Sequence, residues 1–162
     1  MPFHAVNRPG DPTYQADLQR HHLLPLQLLG LRMFAPLFDA IGRSRIGFDD
    51  FRSNGLLLPA SAATSVRIGL PLHRGPHRHY SALVIERVGQ IEAAWSVRCL
   101  RAPDVAGIEA VQRLHLLQAA LRRRLLEPGR KPLALNRHDP LGRHQDYGDL
   151  DAMVDALWPA TG

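Results

Sequence analysis

The chain has 162 residues, 45% of them hydrophobic, enough for one domain around a single core and too few for a second independent one. Its net charge of +5 and pI near 10.3 come from cations that are all arginine except Lys131, and guanidinium forks grip phosphate with two hydrogen bonds at once, so a polyanionic partner is indicated, nucleic acid first among them. Cys99 is the only cysteine, which excludes an intrachain disulfide and argues against a cysteine-based zinc site, and no run reaches the ~20 apolar residues that a spanning helix needs.

Residues 1–17 carry Pro2, Pro9, Gly10 and Pro12 without an apolar period. They read as an irregular arm and lack the basic-then-apolar order of a signal peptide, so the expected location is the cytoplasm, or export by separate machinery. Leu18–Pro25 suits a brief strand that carries the paired histidines. Leu26–Ile41 suits a helix broken at Gly30 and Pro36 and capped by Gly42. Asn54-Gly55 reads as a turn into a second strand through Leu56, Leu57 and Leu58 to Pro59, with a short helix over Ala60–Arg67.

Pro76 suits the first turn of a long helix reaching about Val97, whose Tyr80, Val84, Val88, Ile91 and Trp95 draw one apolar stripe with His77 on the same face. Asp104 is the expected N-cap of a second long helix, with Ile108, Val111, Leu114, Leu117, Leu121 and Leu125 facing inward. Arg122, Arg123 and Arg124 at its end either track a phosphate backbone or answer the helix dipole, which favours cations there anyway. A last short helix is expected over residues 149–158. The parts divide as an arm (1–17), a core (18–127) and a C-terminal extension with a short docked helix (128–162). The fold class is α+β, mostly helical, with a small two-stranded element embedded in it.

Neighbouring side chains on a strand point to opposite sides, so His21 and His22 have different jobs. His73 and His77, in a His-x-x-x-His arrangement whose second member lies at a helix start, offer two imidazoles on one side, a spacing that metal sites use. A neutral imidazole is also a proton acceptor at physiological pH.

Read together, Arg20-His21-His22-Leu23-Leu24-Pro25, Asn54-Gly55-Leu56-Leu57-Leu58-Pro59 and Gly69-Leu70-Pro71-Leu72-His73-Arg74-Gly75-Pro76-His77-Arg78-His79-Tyr80 resemble the AHH family of the HNH and endonuclease VII nuclease superfamily, over about residues 19–97. The resemblance implies a ββα-metal motif holding one divalent ion. It implies His21, His73 and His77 as ligands, His22 as general base, and Asn54 as the motif asparagine that fixes the base or the loop by hydrogen bonding. Arg20 stands where the family has alanine, and a helical insertion over residues 26–53 stretches the hairpin loop. Arg20, Arg74 and Arg78 are candidate phosphate contacts. Imidazole ligands suit Zn²⁺, Mn²⁺, Ni²⁺ or Co²⁺, whereas Mg²⁺ prefers oxygen.

The expected activity is therefore metal-dependent hydrolysis of phosphodiesters, with little sequence preference because no base-reading motif is present. DNA is preferred over RNA by analogy alone. A toxin or defence role and an immunity-type or delivery partner follow from the resemblance, a homodimer is a further option because nicking both strands is easier for a dimer, and no membrane association is expected. Two other classes compete: a non-catalytic nucleic-acid-binding module with a structural metal, and a hydrolase of another phosphoester or an amide.

Overall fold

The computed structural model describes residues 1–127, 135 and 139–141. Two strands, β1 (Leu18–His22) and β2 (Gly55–Pro59), pair antiparallel with Leu18 opposite Pro59, His21 opposite Leu56 and His22 opposite Gly55. A two-stranded ribbon is marginal by itself, and this one gains its stability by laying Leu56 and Leu58 on the helical core. Pro59 closes β2, where its missing N–H costs no ladder bond in the interior of the pair.

Between the strands the chain makes two 3-10 turns (Leu26–Gly30 and Arg32–Phe34) and three short helices, α1 (Ala35–Ile41), α2 (Arg43–Ile46) and α3 (Phe51–Asn54). The break expected in this stretch falls at Gly30-Leu31. Pro36, by contrast, opens α1, since a proline in the first helical turn forfeits no bond. Gly42, at φ +78°, ends α1 as expected. Leu28, Phe34, Leu37, Phe38, Ile41, Ile46 and Phe48 are all buried, so the insertion is core rather than appendage.

After β2 come α4 (Ala62–Ile68), capped by Ser61 and ended by Gly69 at φ +70°, and two long helices, α5 (Arg78–Cys99) and α6 (Pro103–Leu126). The short link between them folds α6 back onto α5, and α1 packs against both. Tyr80, Val84, Val88, Ile91 and Trp95 of α5 are buried as the sequence period requires. The architecture is thus α+β and mostly helical, with β1, β2 and α5 forming a ββα unit. Among the described residues no helix is long and apolar enough to cross a membrane.

Several local expectations are corrected. Asn54-Gly55 is not a turn: Asn54 ends α3 and Gly55, at φ −115° and ψ 150°, already lies in β2. Gly55 is glycine because a Cβ there would fall inside the Phe51 ring. Pro76 lies just outside α5, whose N-cap is His77, and Asp104 sits within the first turn of α6 behind the N-cap Ala102. Ile108 is 50% exposed, because α1 covers only part of that turn of α6. The expected helix over 149–158 lies outside the described residues.

Candidate metal centre and its surroundings

The pleat of β1 turns alternate side chains to opposite faces, and here it separates the paired histidines. His21, 3% exposed, points inward with Gln19 on its side. His22 and Arg20 point to the other side, beneath the N-terminal arm.

His73 and His77 reach His21 from the loop between α4 and α5. The His73 N–H donates to the Pro59 carbonyl (2.7 Å), which ties that loop to the end of β2. His77 is the N-cap of α5, with its carbonyl taking the first helical bond from Ser81 (2.8 Å), and Gly75 at φ +78° makes the sharp approach. Ring centroids are 5.1 Å apart for His21 and His73, 5.6 Å for His21 and His77 and 4.5 Å for His73 and His77. One nitrogen from each of the three lies within 4.8 Å of the others.

Outer contacts choose which nitrogen faces the centre. His77 Nδ1 lies 2.9 Å from the Leu135 carbonyl, an acceptor only, so Nδ1 carries the proton and Nε2 keeps its lone pair. His73 Nδ1 meets Gln19 Oε1 at 3.1 Å in the same way. Asp139, buried, accepts the Leu72 N–H (3.2 Å) and the Leu141 N–H (3.1 Å), fastening the loop just before His73. Tyr80 sets its ring edge against His21, centroids 5.0 Å apart, and donates its hydroxyl to the Leu23 carbonyl (2.7 Å).

Electrostatics match this packing. Burial first, then the neighbouring His73, His77 and His22, hold His21 well below the ordinary imidazole range. Burial and His77 bring His73 to about 4. Burial also lowers His22, opposed by the Asp49 carboxylate and aided by Arg20. Neutral imidazoles are the form that binds a cation.

The donor set fits a divalent metal. His21 Nε2 is buried and makes no hydrogen bond, a costly arrangement for an imidazole unless a cation takes the lone pair. Among the described residues, these three are the group of His, Cys, Asp or Glu side chains close enough to share one ion.

The other candidate residues are distributed unevenly. Asn54 is fully buried away from solvent: its Oδ1 accepts the Leu24 N–H (2.7 Å) and a Gln118 amide N–H (3.3 Å), and its Nδ2 donates to the Leu24 and Phe48 carbonyls (3.0 and 3.2 Å). Arg74 and Arg78 are exposed beside His73 and His77, and His79 is exposed as expected. Arg20 Nη1 donates to the Phe3 carbonyl (2.9 Å). Of the arginines ending α6, Arg124 is buried, Arg123 is exposed and pairs with Glu127, and Arg122 donates to the Arg52 carbonyl (2.6 Å).

Sequence reasoning missed Gln19, Leu135, Asp139 and Phe3, and read Tyr80 as core alone. Gln19 was recoverable, being two residues before His21 and hence on the same pleat face. Leu135 and Asp139 act through a main-chain carbonyl and a loop contact, which no spacing rule signals.

One protein-family model matches, over residues 3–114: a nuclease family of the HNH/ENDO VII superfamily with conserved AHH. No curated protein and no solved structure matches the chain.

Proposed function

The chain belongs to the AHH nuclease family of the HNH/ENDO VII superfamily, and on that premise we propose that it is a metal-dependent endonuclease that hydrolyses DNA with little sequence preference. The observation that carries the reading is the convergence of His21, His73 and His77, with the buried His21 Nε2 left for a cation. In this proposal those three hold one divalent ion, Zn²⁺, Mn²⁺, Ni²⁺ or Co²⁺ by donor softness and Mg²⁺ less readily. The bound ion supplies charge stabilisation to the phosphodiester as negative charge builds on its oxygens.

The chain's own residues do the rest. His22, kept neutral by burial, takes the proton from the attacking water. Arg74 and Arg78 grip neighbouring phosphate oxygens, and Arg20 contributes the guanidinium N–H groups that Phe3 does not use. Asn54 is assigned a positioning role, since every polar atom of its amide is spent on Leu24, Phe48 and Gln118. The net charge of +5 supports backbone binding that weakens with salt.

The test is a metal series on supercoiled plasmid, using chelator-stripped protein with His22→Ala alongside. At least one ion should restore cleavage, and His22→Ala should cut at least about 100-fold more slowly while still binding that ion. Plasmid left intact with every ion would sink the enzymatic reading in favour of a binding module.

A further inference from the structure

The N-terminal arm closes over the face of β1 that carries His22. Phe3 lies flat on His22, centroids 3.6 Å apart and planes within 2° of parallel. The Phe51 ring meets Phe3 edge-on at 5.1 Å and 68°. The arm is held there by its backbone: the Phe3 N–H donates to the Asp49 carbonyl (3.1 Å), the Phe51 N–H donates to the Met1 carbonyl (2.8 Å), and Arg20 donates to the Phe3 carbonyl (2.9 Å).

A general-base imidazole is ordinarily oriented by a hydrogen bond through its second nitrogen. Among the described residues, no side chain or carbonyl makes such a bond to His22; the Asp49 carboxylate acts on it through charge, and the Phe3 stack is the ring contact that His22 makes. Stacking also suits the chemistry. An imidazole accepts a proton along its in-plane lone pair, and a ring lying on its face leaves that edge open.

We propose that Phe3 is a positioning residue, whose ring, braced by Phe51, sets the plane of His22 for proton abstraction. The proposal rests on His22 being the base. It also assigns the first turn of the arm to the working site rather than to a passive tail. The opposite reading of the same contact, a cover that substrate must displace, predicts the opposite kinetic sign.

The experiment compares the full chain with Phe3→Leu, which keeps apolar volume without a ring, and Phe3→Tyr, which keeps the ring. At saturating DNA and metal, Phe3→Leu should lower kcat by about tenfold or more with KM and calorimetric metal affinity unchanged, and Phe3→Tyr should recover the wild-type rate. By NMR, the His22 Hδ2 resonance should lose its upfield ring-current displacement in Phe3→Leu and keep it in Phe3→Tyr. If the leucine variant melts early, Phe3→Met repeats the comparison. A Phe3→Leu rate within about twofold of wild type, or a faster one, overturns the positioning role while leaving the nuclease reading intact. Wild-type protein that never cuts overturns both.

Discussion

On one face of β1, His21 is packed among His73, His77 and Tyr80, away from water and short of one hydrogen bond; on the other, His22 lies under the Phe3 ring with its edge open. The two residues are adjacent and chemically identical, and the pleat alone gives them different surroundings. Burial among imidazoles leaves His21 neutral with an unpartnered nitrogen, whereas half-burial beneath an aromatic ring leaves His22 a group that can still meet solvent. The difference teaches that the hairpin, rather than the residue type, sets the environment, since its pleat and register decide which imidazole goes where.

The sharpest way to break that contrast is to remove one histidine at a time and titrate metal by calorimetry. His21→Ala should weaken binding by more than about 100-fold, since altering a mere outer-shell partner already costs about 10- to 100-fold, whereas His22→Ala should change it by less than about threefold. Equal losses would mean that the two faces are not divided. Next in size is Asn54→Ala, which strands the Leu24 N–H and carbonyl and the Phe48 carbonyl in the interior. It should cost about 3 kcal/mol in denaturant unfolding and harm both faces together, because it loosens the end of the hairpin that they share.

A change of pH reads the burial on both faces together. Below the ordinary imidazole value of 6.5 the unfolded chain binds protons that folded His21, His73 and, on the other face, His22 refuse, so in chelator the protein should lose stability as pH falls from about 6.5 toward about 4, and hold steady above that window. Melting temperatures at pH 7 and pH 5 measure it. His73→Phe should flatten the slope, and a wild-type midpoint unmoved by the pH change would contradict the burial described for the inner face.

Much of this arrangement was legible in the sequence because it rests on periods and spacings. The pleat separates His21 from His22, and the apolar period of α5 places Tyr80 and Val84 on its buried face. The failures have physical causes. Asn-Gly is the strongest short turn signal, but here Asn54 is drawn into the interior to bind Leu24, and Gly55 is required by the Phe51 ring instead of by a positive φ. Asp104 looked like a cap, yet Pro103 starts α6 one residue earlier. Arg124 looked like surface charge and is buried at the end of α6. Leu135 contributes a carbonyl, which every residue type possesses, so its role depends wholly on where the chain returns.

Gly55 stands at the head of a relay. Its missing side chain makes room for Phe51, Phe51 braces Phe3, Phe3 lies on His22, and His22 is the residue directly across the ladder from Gly55. A single methyl group added at position 55 would therefore disturb an imidazole by two routes, through the rings and through the strand pairing, so the least conspicuous residue of the hairpin leaves little room for mutational drift.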